Sequence, residues 1–266
     1  MIANATMVDA KGLNETSGLS PERVAVFICS SDSRRDILDQ TLPALEMFWS
    51  DCPWPIYIGL NTIVRPLTLG SAILAPPSEW YREFATQLSQ IDEEYILLAL
   101  DDFLFEASIN QTCLNELFLE SKRLQLDYLR LVPLGRSLAS RLGGKRTSHL
   151  SSEIERLPCQ HPFYCALQVA IWRKSYLQRL LKYPISIWDF ERRYIPHSMH
   201  ACVVGSTIVS YHHVVERGRW LPDAPTRFSR VSLPVSLGTR PMWSKVRLIR
   251  EVGERIKWYL YGYSNC

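Results

Sequence analysis

Residues 95–103 read YILLALDDF, an apolar run that ends in the adjacent carboxylates Asp101 and Asp102. A continuous apolar run of this length is typical of a strand that is buried on both faces. Two carboxylates at its end would be costly to bury without a partner, and they also repel each other. A divalent cation removes that conflict, and hard oxygen donors suit Mg²⁺ or Mn²⁺, which in turn suit a diphosphate. The alternative is a helix-capping aspartate beside a solvated one.

Strand and helix patterns alternate on both sides of this run. Val24–Cys29 and Ile56–Leu60 are apolar runs that predict two more buried strands, and the apolar residues between them recur at helical spacing. Further helices are predicted at 80–91, 109–126 and 175–181, and further strands at 128–132 and 163–172. This alternation predicts an α/β fold with a mainly parallel central sheet flanked by helices, in which ligands bind beyond the carboxyl ends of the strands.

The composition is typical of a globular protein and excludes disordered and collagen-like classes, because 47% of the residues are hydrophobic and 21% are charged. A formal net charge of +3 is too small to require nucleic acid as a partner, and none is expected. Residues 1–21 are polar and predict a flexible lead-in rather than a signal peptide. Seven cysteines without a Cys-x-x-Cys pair favour a reducing cytoplasm.

The positive charge is concentrated near the C-terminus, where residues 217–257 hold ten Lys or Arg against three Asp or Glu. Within residues 242–261, apolar side chains recur at spacings of three and four with basic ones between them. This pattern predicts a basic amphipathic helix over 241–266, following a domain that ends at residue 240. The helix would either pack on the core with a solvated basic face, or lie on an anionic membrane surface.

A second acidic motif, WDFE, contains Asp189 and Glu191 and follows a proline turn. If a helix begins near Trp188, both carboxylates lie in its first turn, where the helix dipole favours negative charge. A carboxylate at the edge of a pocket could instead act as a general base that deprotonates an acceptor hydroxyl.

A third motif, HHVVERGRW, brings His212 and His213 close in sequence to Arg217 and Arg219. Imidazole and guanidinium groups suit a diphosphate, through metal ligation by a histidine and charge-assisted hydrogen bonds from the arginines. A histidine pair can also be merely polar surface.

Taken in order, the motifs resemble those of nucleotide-sugar-dependent glycosyltransferases of the GT-A fold, in the broad family-2-like group of bacterial polysaccharide enzymes. The resemblance covers roughly residues 22–222, through SSDSRR after the first strand, IGLN at the end of the second, LLALDDF, WDFE and HHVVERGRW. It implies a GT-A (Rossmann-like) catalytic domain over 22–240 and a C-terminal helical extension.

The resemblance also implies roles for individual residues. Asp101 would lie near the sugar or ribose of the donor, and Asp102 would bind a Mg²⁺ or Mn²⁺ ion that bridges the diphosphate. The implied nucleotide contacts come from Ser30, Ser31, Asp32, Asn61 and Arg82. The implied late ligand of the metal or the phosphate is His212 or His213, and Arg217 and Arg219 would neutralise the leaving diphosphate.

The implied reaction is the inverting transfer of a sugar from a nucleoside-diphosphate sugar to a hydroxyl of a saccharide or lipid-linked acceptor, in cell-surface polysaccharide synthesis. Either Glu191 or Asp189 would be the catalytic base, and Glu191 is favoured. The expected location is the cytoplasm, or the inner face of the plasma membrane.

Two other functions stay open at this stage. A sugar nucleotidyltransferase would also use strand-end carboxylates and a metal, but the first strand is not followed by a glycine-rich phosphate loop. A non-enzymatic nucleic-acid or partner-binding module could use the basic loop at 136–146 and the C-terminal helix, but it would not need carboxylates at strand ends.

Overall fold

The computed structural model describes residues 24–62, 66–133, 149–159, 164–192, 196–205 and 207–247. In chain order the strands are β1 (Val24–Cys29), β2 (Ile56–Leu60), β3 (Ser71–Leu74), β4 (Tyr95–Leu100), β5 (Phe103–Phe105), β6 (Tyr128–Arg130), β7 (Ile154–Arg156), β8 (Ala170–Arg173), β9 (His200–Val203), β10 (Tyr211–His213), β11 (Val215–Glu216) and β12 (Arg219–Trp220). A single 3₁₀ turn (Asp32–Arg34) leads into α1 (Arg35–Phe48), and the later helices are α2 (Trp80–Leu88), α3 (Gln111–Arg123), α4 (Lys174–Leu180), α5 (Ile187–Arg192) and α6 (Ala224–Arg230).

Eight strands form a central sheet in the order β3-β2-β1-β4-β8-β6-β9-β7. The pairs β1–β2, β1–β4, β2–β3 and β6–β9 are parallel, whereas β8 runs antiparallel to both of its neighbours and β7 runs antiparallel to β9. All strands of this sheet except β7 and β8 therefore point the same way. The predicted α/β fold with a mainly parallel sheet is confirmed.

Successive side chains of a strand point to opposite faces of the sheet. Because the central strands are apolar on both faces, helices pack on both sides of the sheet. In β1, Val26 and Ile28 contribute to the core layer that contains α1 and α3, while Phe27 faces the layer formed with α2, α4 and α5. The Phe27 ring stacks on Phe84 of α2, with the ring centroids 5.7 Å apart. Burial on both faces explains why β1 reads as an unbroken apolar run.

One predicted strand is largely wrong. The apolar stretch 163–172 forms a strand only from Ala170, in β8, and the described part before it bonds to α5 instead. There the Cys165 N–H donates to the Glu191 carbonyl, and the Leu167 N–H donates to the Glu191 side chain. The stretch is buried beneath a helix rather than paired in a ladder, and hydrophobicity alone does not distinguish the two arrangements.

Two short strands bring the third motif to the acid pair. Directly after Asp102, β5 pairs antiparallel with β10, so that Phe103 lies opposite His213. The hairpin β11–β12 follows, and its turn residues Arg217 and Gly218 have φ angles of 48° and 73°. Positive φ at both central residues is the geometry of a type I′ turn.

The chain after this hairpin stays attached to the core. Arg240 forms two hydrogen bonds of 2.6 and 2.7 Å with Asp36 of α1. The Trp243 indole donates to the Glu216 carbonyl, and its backbone N–H donates to Trp220.

The predicted basic helix is described only over its first helical residues, 245–247, and the rest of it lies outside the described residues, as does the basic loop at 136–146. No helix in the described ranges combines the length and the apolar character that a bilayer crossing requires.

Candidate active site

A cleft of about 1300 Å³ opens at the carboxyl ends of β1, β2 and β4. The residues predicted from the sequence that line it are Ser30, Ser31, Asn61, Asp101, Asp102, Glu191, His213 and Arg217. The other predicted residues are not part of its lining: Asp32, Arg82, Asp189, His212 and Arg219. The fold therefore gathers groups from all three motifs at one edge of the sheet.

The Asp101 carboxylate is buried and accepts hydrogen bonds from two side chains of the SSDSRR segment that follows β1. Arg34 donates from Nε to both carboxylate oxygens, at 2.8 and 2.7 Å, and from Nη2 at 2.6 Å, while the Ser30 hydroxyl donates at 2.7 Å. Burial disfavours the charged guanidinium, but these bonds and the charge of Asp101 outweigh it and raise the pKa of Arg34. A buried carboxylate held by a bidentate arginine is strongly fixed in place.

Asp102 lies beside this pair and is only partly satisfied. Its Oδ2 atom is 3.4 Å from Arg34 Nη2, whereas its buried Oδ1 atom has no hydrogen-bond partner among the described residues. Burial, and then the charge of Asp101, raise the pKa of Asp102 to about 7. A buried carboxylate oxygen without a partner is unfavourable. A bound cation, or a hydrogen-bond donor of a bound ligand, would satisfy it.

His213 faces the cleft and His212 does not, because neighbouring residues on a strand point to opposite sides. His212 Nε2 instead lies 3.1 Å from Asp223 Oδ2. Burial lowers the pKa of His213 to about 4, against the opposing effect of Glu216. The His213 ring is therefore neutral at pH 7 and able to ligate a cation.

Asp102 and His213 suit a divalent ion whose remaining ligands come from a substrate. Nowhere in the described chain do three or more metal-ligating side chains form a cluster. Mg²⁺ commonly takes one or two carboxylates from the protein and completes its shell with phosphate oxygens and water. The orphaned Oδ1 atom of Asp102 and a neutral imidazole in the same cleft fit that pattern.

The two acids of the WDFE motif have different environments on α5. Glu191 lines the cleft, and its Oε1 atom accepts the Leu167 N–H at 2.9 Å. Asp189 exchanges hydrogen bonds with Ser186, whose hydroxyl donates to Oδ2 at 2.6 Å and accepts the Asp189 N–H at 3.1 Å. This is a capping interaction at the start of the helix. Asp189 therefore stabilises the first turn of α5, whereas Glu191 is the acid of the motif that lines the cleft.

The two arginines of the third motif also separate. The Arg217 guanidinium lies over the Trp188 ring, 5.9 Å from its centroid, and lines the cleft. The Arg219 guanidinium lies over the Trp243 ring at 5.4 Å, outside the lining.

Asp32 and Asn61 join the segments that follow β1 and β2. The Asp32 N–H donates to the Asn61 amide oxygen at 3.1 Å, and the Asn61 N–H donates to the Asp32 carboxylate at 2.9 Å. Burial acts to raise the pKa of Asp32, but hydrogen bonds from Thr62 and Asn61 outweigh it and lower the pKa. Asp32 is not part of the cleft lining, but its hydrogen bonds hold Asn61, which is.

Arg82 lies elsewhere on α2. Its guanidinium is 3.0 Å from Glu79 and lines a separate shallow groove between α2 and α4. The predicted nucleotide contact from Arg82 is not placed with the other site residues.

Sequence reasoning missed several residues of the cleft. Arg34 carried a signal, since it follows the first strand in SSDSRR, but its partner Asp101 is distant in the chain. Trp188 was considered only as the start of a possible helix, and its place in the cleft lining was not predicted. Cys29 also lines the cleft; burial, and then the charge of Asp101, raise its pKa to about 12, which excludes a thiolate nucleophile at neutral pH.

Comparison with known proteins gives distant structural likeness only. No family model and no curated protein matches the chain. Similar solved structures include S. aureus TarS 1-349 in complex with UDP-GlcNAc (14% identity, 80% of this chain and 62% of that chain, TM-score 0.48). They also include the galactosyltransferase LgtC in complex with donor and acceptor sugar analogs (13% identity, 59% of each chain, TM-score 0.34).

A third similar structure is the bifunctional IspDF from Campylobacter jejuni (10% identity, 64% of this chain and 46% of that chain, TM-score 0.37). The chain thus spans less than two thirds of each of these three proteins. At these identities, and with TM-scores below 0.5, the similarities assign no activity to the chain.

Proposed function

We propose that this chain is an inverting glycosyltransferase that moves a sugar from a nucleoside-diphosphate sugar to a hydroxyl of a saccharide or lipid-linked acceptor. The observation that carries the proposal is the composition of the cleft. A buried acid pair at the end of β4 shares one cavity with the carboxylate of Glu191, the neutral ring of His213 and the guanidinium of Arg217. Acids, a cation and a metal-ligating group are the parts that transfer from a charged diphosphate donor requires.

The donor would lie along the edge formed by β1, β2 and β4. Ser30, Ser31 and Asn61 line the end of the cleft that would take the nucleoside, and Arg217 supplies a cation for the diphosphate. Asp102 and His213 would hold Mg²⁺ or Mn²⁺. When bound, such an ion supplies positive charge that stabilises the departing diphosphate.

Glu191 would act as the general base. The Leu167 N–H fixes its Oε1 atom and so orients the carboxylate in the cleft. Glu191 takes the proton of the acceptor hydroxyl while that oxygen bonds to the anomeric carbon, and the bond from that carbon to the diphosphate oxygen breaks. Attack from the face opposite the leaving group inverts the anomeric centre, and retention of configuration in the product would overturn this assignment.

We further propose that the enzyme acts in cell-surface polysaccharide synthesis on the cytoplasmic side of the plasma membrane, with its basic C-terminal segment on anionic lipid. The support is the excess of positive charge over 241–257, where five Lys or Arg stand against two Glu. Sedimentation with phosphatidylglycerol vesicles at low salt, and not with phosphatidylcholine vesicles, is the expected result. No sedimentation with either would remove the membrane from the proposal.

A thermal-shift panel of nucleoside diphosphates and nucleotide sugars, with and without Mn²⁺, tests the donor site. A ligand at 100 times its Kd stabilises a protein by about 2.7 kcal/mol, which raises the Tm by roughly 5–10 °C in a chain of this size. One nucleoside diphosphate and its sugar conjugate should give such a shift. Salt-sensitive binding to unrelated DNA or RNA with no shift in the panel would favour the nucleic-acid module instead.

A further inference from the structure

Trp188 is an unusually exposed aromatic side chain that lines the cleft. It retains 47% of its accessible surface, whereas Trp49, Trp172 and Trp220 each retain 1% or less. The neighbouring Phe190 of the same helix is fully buried and packs on Trp80 and Trp172. The helix is thus anchored through Phe190 and presents the Trp188 indole to the cavity.

Trp188 and Glu191 are three positions apart on α5 and both line the cleft. Residues at this spacing are neighbours on one helix face, with about 5–6 Å between their Cβ atoms. A saccharide ring stacked on Trp188 would therefore have a hydroxyl within reach of the Glu191 carboxylate. Indole rings bind the apolar C–H face of a pyranose well, since they offer a large rigid surface beside a polar edge.

The Arg217 guanidinium lies over this indole, 5.9 Å from its ring centroid, and its Nε atom is 4.0 Å from Glu216 Oε1. Its position is set by the type I′ turn between β11 and β12, in which Arg217 has a φ of 48°. A guanidinium–indole contact at a half-exposed position is weaker than charge-assisted hydrogen bonds to a phosphate. A diphosphate in the cleft would draw Arg217 away from the ring.

We propose that Trp188 is the platform for a pyranose ring of the acceptor, and that Arg217 covers it until a donor diphosphate binds. This inference rests on the proposed glycosyltransferase function and specifies its acceptor as a saccharide that binds after the donor. Trp188 binds the acceptor ring, and Glu191 takes the proton of the acceptor hydroxyl. Arg217 moves off the indole when a diphosphate binds, so that the acceptor can bind only after the donor.

Saturation-transfer NMR with a panel of methyl hexopyranosides tests the platform, with inorganic pyrophosphate as the diphosphate probe. In the wild type, the saccharide signal should rise at least threefold when pyrophosphate is added. Trp188→Ala should lose the signal under both conditions. Arg217→Asn should give the full signal without pyrophosphate, because asparagine tolerates the left-handed turn before Gly218 but leaves the indole uncovered.

Tyr183→Ala is the matched control, because Tyr183 is also exposed and carries a cation, Lys182, 5.6 Å from its ring centroid, yet lies outside the cleft lining. It should behave as wild type. A wild-type saccharide signal in Trp188→Ala would overturn the platform, and a pyrophosphate requirement that persists in Arg217→Asn would overturn the cover.

Donor hydrolysis by water separates this inference from the proposed function. Hydrolysis of the donor identified by thermal shift is measured in the wild type, since water needs no platform and the reaction then reports the donor site alone. If the wild type shows neither donor binding nor hydrolysis, the proposed function fails. If both occur and Trp188→Ala still binds saccharide as the wild type does, only the platform fails.

Discussion

Replacing Arg34 by methionine removes the cation of the acid pair while keeping most of the side-chain volume. Asp101 is 1% exposed and Asp102 is 8% exposed. Without Arg34, the Asp101 carboxylate would be left buried without a compensating charge, beside Asp102, whose pKa is already raised to about 7. Breaking a buried ion pair from one side typically costs about 3–5 kcal/mol. Because about a third of the Arg34 side chain is exposed, at 32%, we expect a loss near the lower end, about 3 kcal/mol at pH 7.5.

The loss should depend on pH with a definite sign. The variant can limit the cost by protonating a carboxylate, and holding an ordinary aspartate protonated costs about 4 kcal/mol at pH 7 but only about 1.5 kcal/mol at pH 5. Destabilisation by Arg34→Met should therefore shrink to about 1.5 kcal/mol or less at pH 5. Adding Asp101→Asn to Arg34→Met should recover much of the loss at pH 7.5, because one buried charge is removed.

Urea denaturation followed by tryptophan fluorescence measures these free energies of unfolding. Arg123→Met is the matched control, since Arg123 pairs with Glu120 on the surface of α3 with 64% of its side chain exposed, and an ion pair that is exposed to solvent contributes little to stability. A loss below about 1 kcal/mol for Arg34→Met at pH 7.5, or an equal loss at pH 5, would refute the role given to the Arg34–Asp101 pair.

The remaining predictions concern the metal site and a buried histidine. Asp102→Asn should abolish the extra thermal shift that Mn²⁺ adds to a bound nucleoside diphosphate, and an undiminished Mn²⁺ response would exclude Asp102 as a ligand. Burial lowers the pKa of His200 to about 4, while its ring contacts the Tyr164 carbonyl and the Tyr176 hydroxyl at 2.8 Å each. Because the unfolded state binds the proton first, wild-type stability should fall as the pH drops from 6.5 to 4, by about 3 kcal/mol more than in His200→Gln; equal losses in urea titrations would contradict this.

The central strands were predictable because their chemistry is local. β1, β2 and β4 each read as a continuous apolar run, and β1 and β4 are buried on both faces along nearly their whole length. The same signal misled at 164–169, where a buried apolar stretch supports α5 through backbone bonds to Glu191. An apolar run indicates that a segment is buried. Whether the segment is a strand depends on whether its backbone N–H and C=O groups bond to a neighbouring strand.

Pairing between distant residues set the details of the site. Arg34 and Asp101 are 67 positions apart, so no spacing rule connects them. The choice of His213 over His212 follows from the register of β10 on β5, which puts His213 opposite Phe103. Side chains alternate along a strand, so only one of two adjacent histidines can face the cleft, and this register decides which one.

The two acids of the WDFE motif show the same limit. Either could begin a helix or reach a pocket. The Asp189 carboxylate accepts a hydrogen bond from Ser186 at the start of the helix. With Phe190 buried in the core, the helix is oriented so that Glu191 lines the cleft.

The rate of sugar transfer by Glu191→Gln tests the central proposal most directly. Glutamine keeps an oxygen that can accept the Leu167 N–H, but it removes the proton-accepting carboxylate. With the donor identified by thermal shift, and nucleoside diphosphate release followed by ³¹P NMR, kcat should fall by about 10²–10⁴-fold while the donor-induced shift in Tm stays unchanged. Glu120→Gln on α3 serves as the control. Turnover by Glu191→Gln at the wild-type rate would contradict the proposed glycosyl transfer with Glu191 as its base.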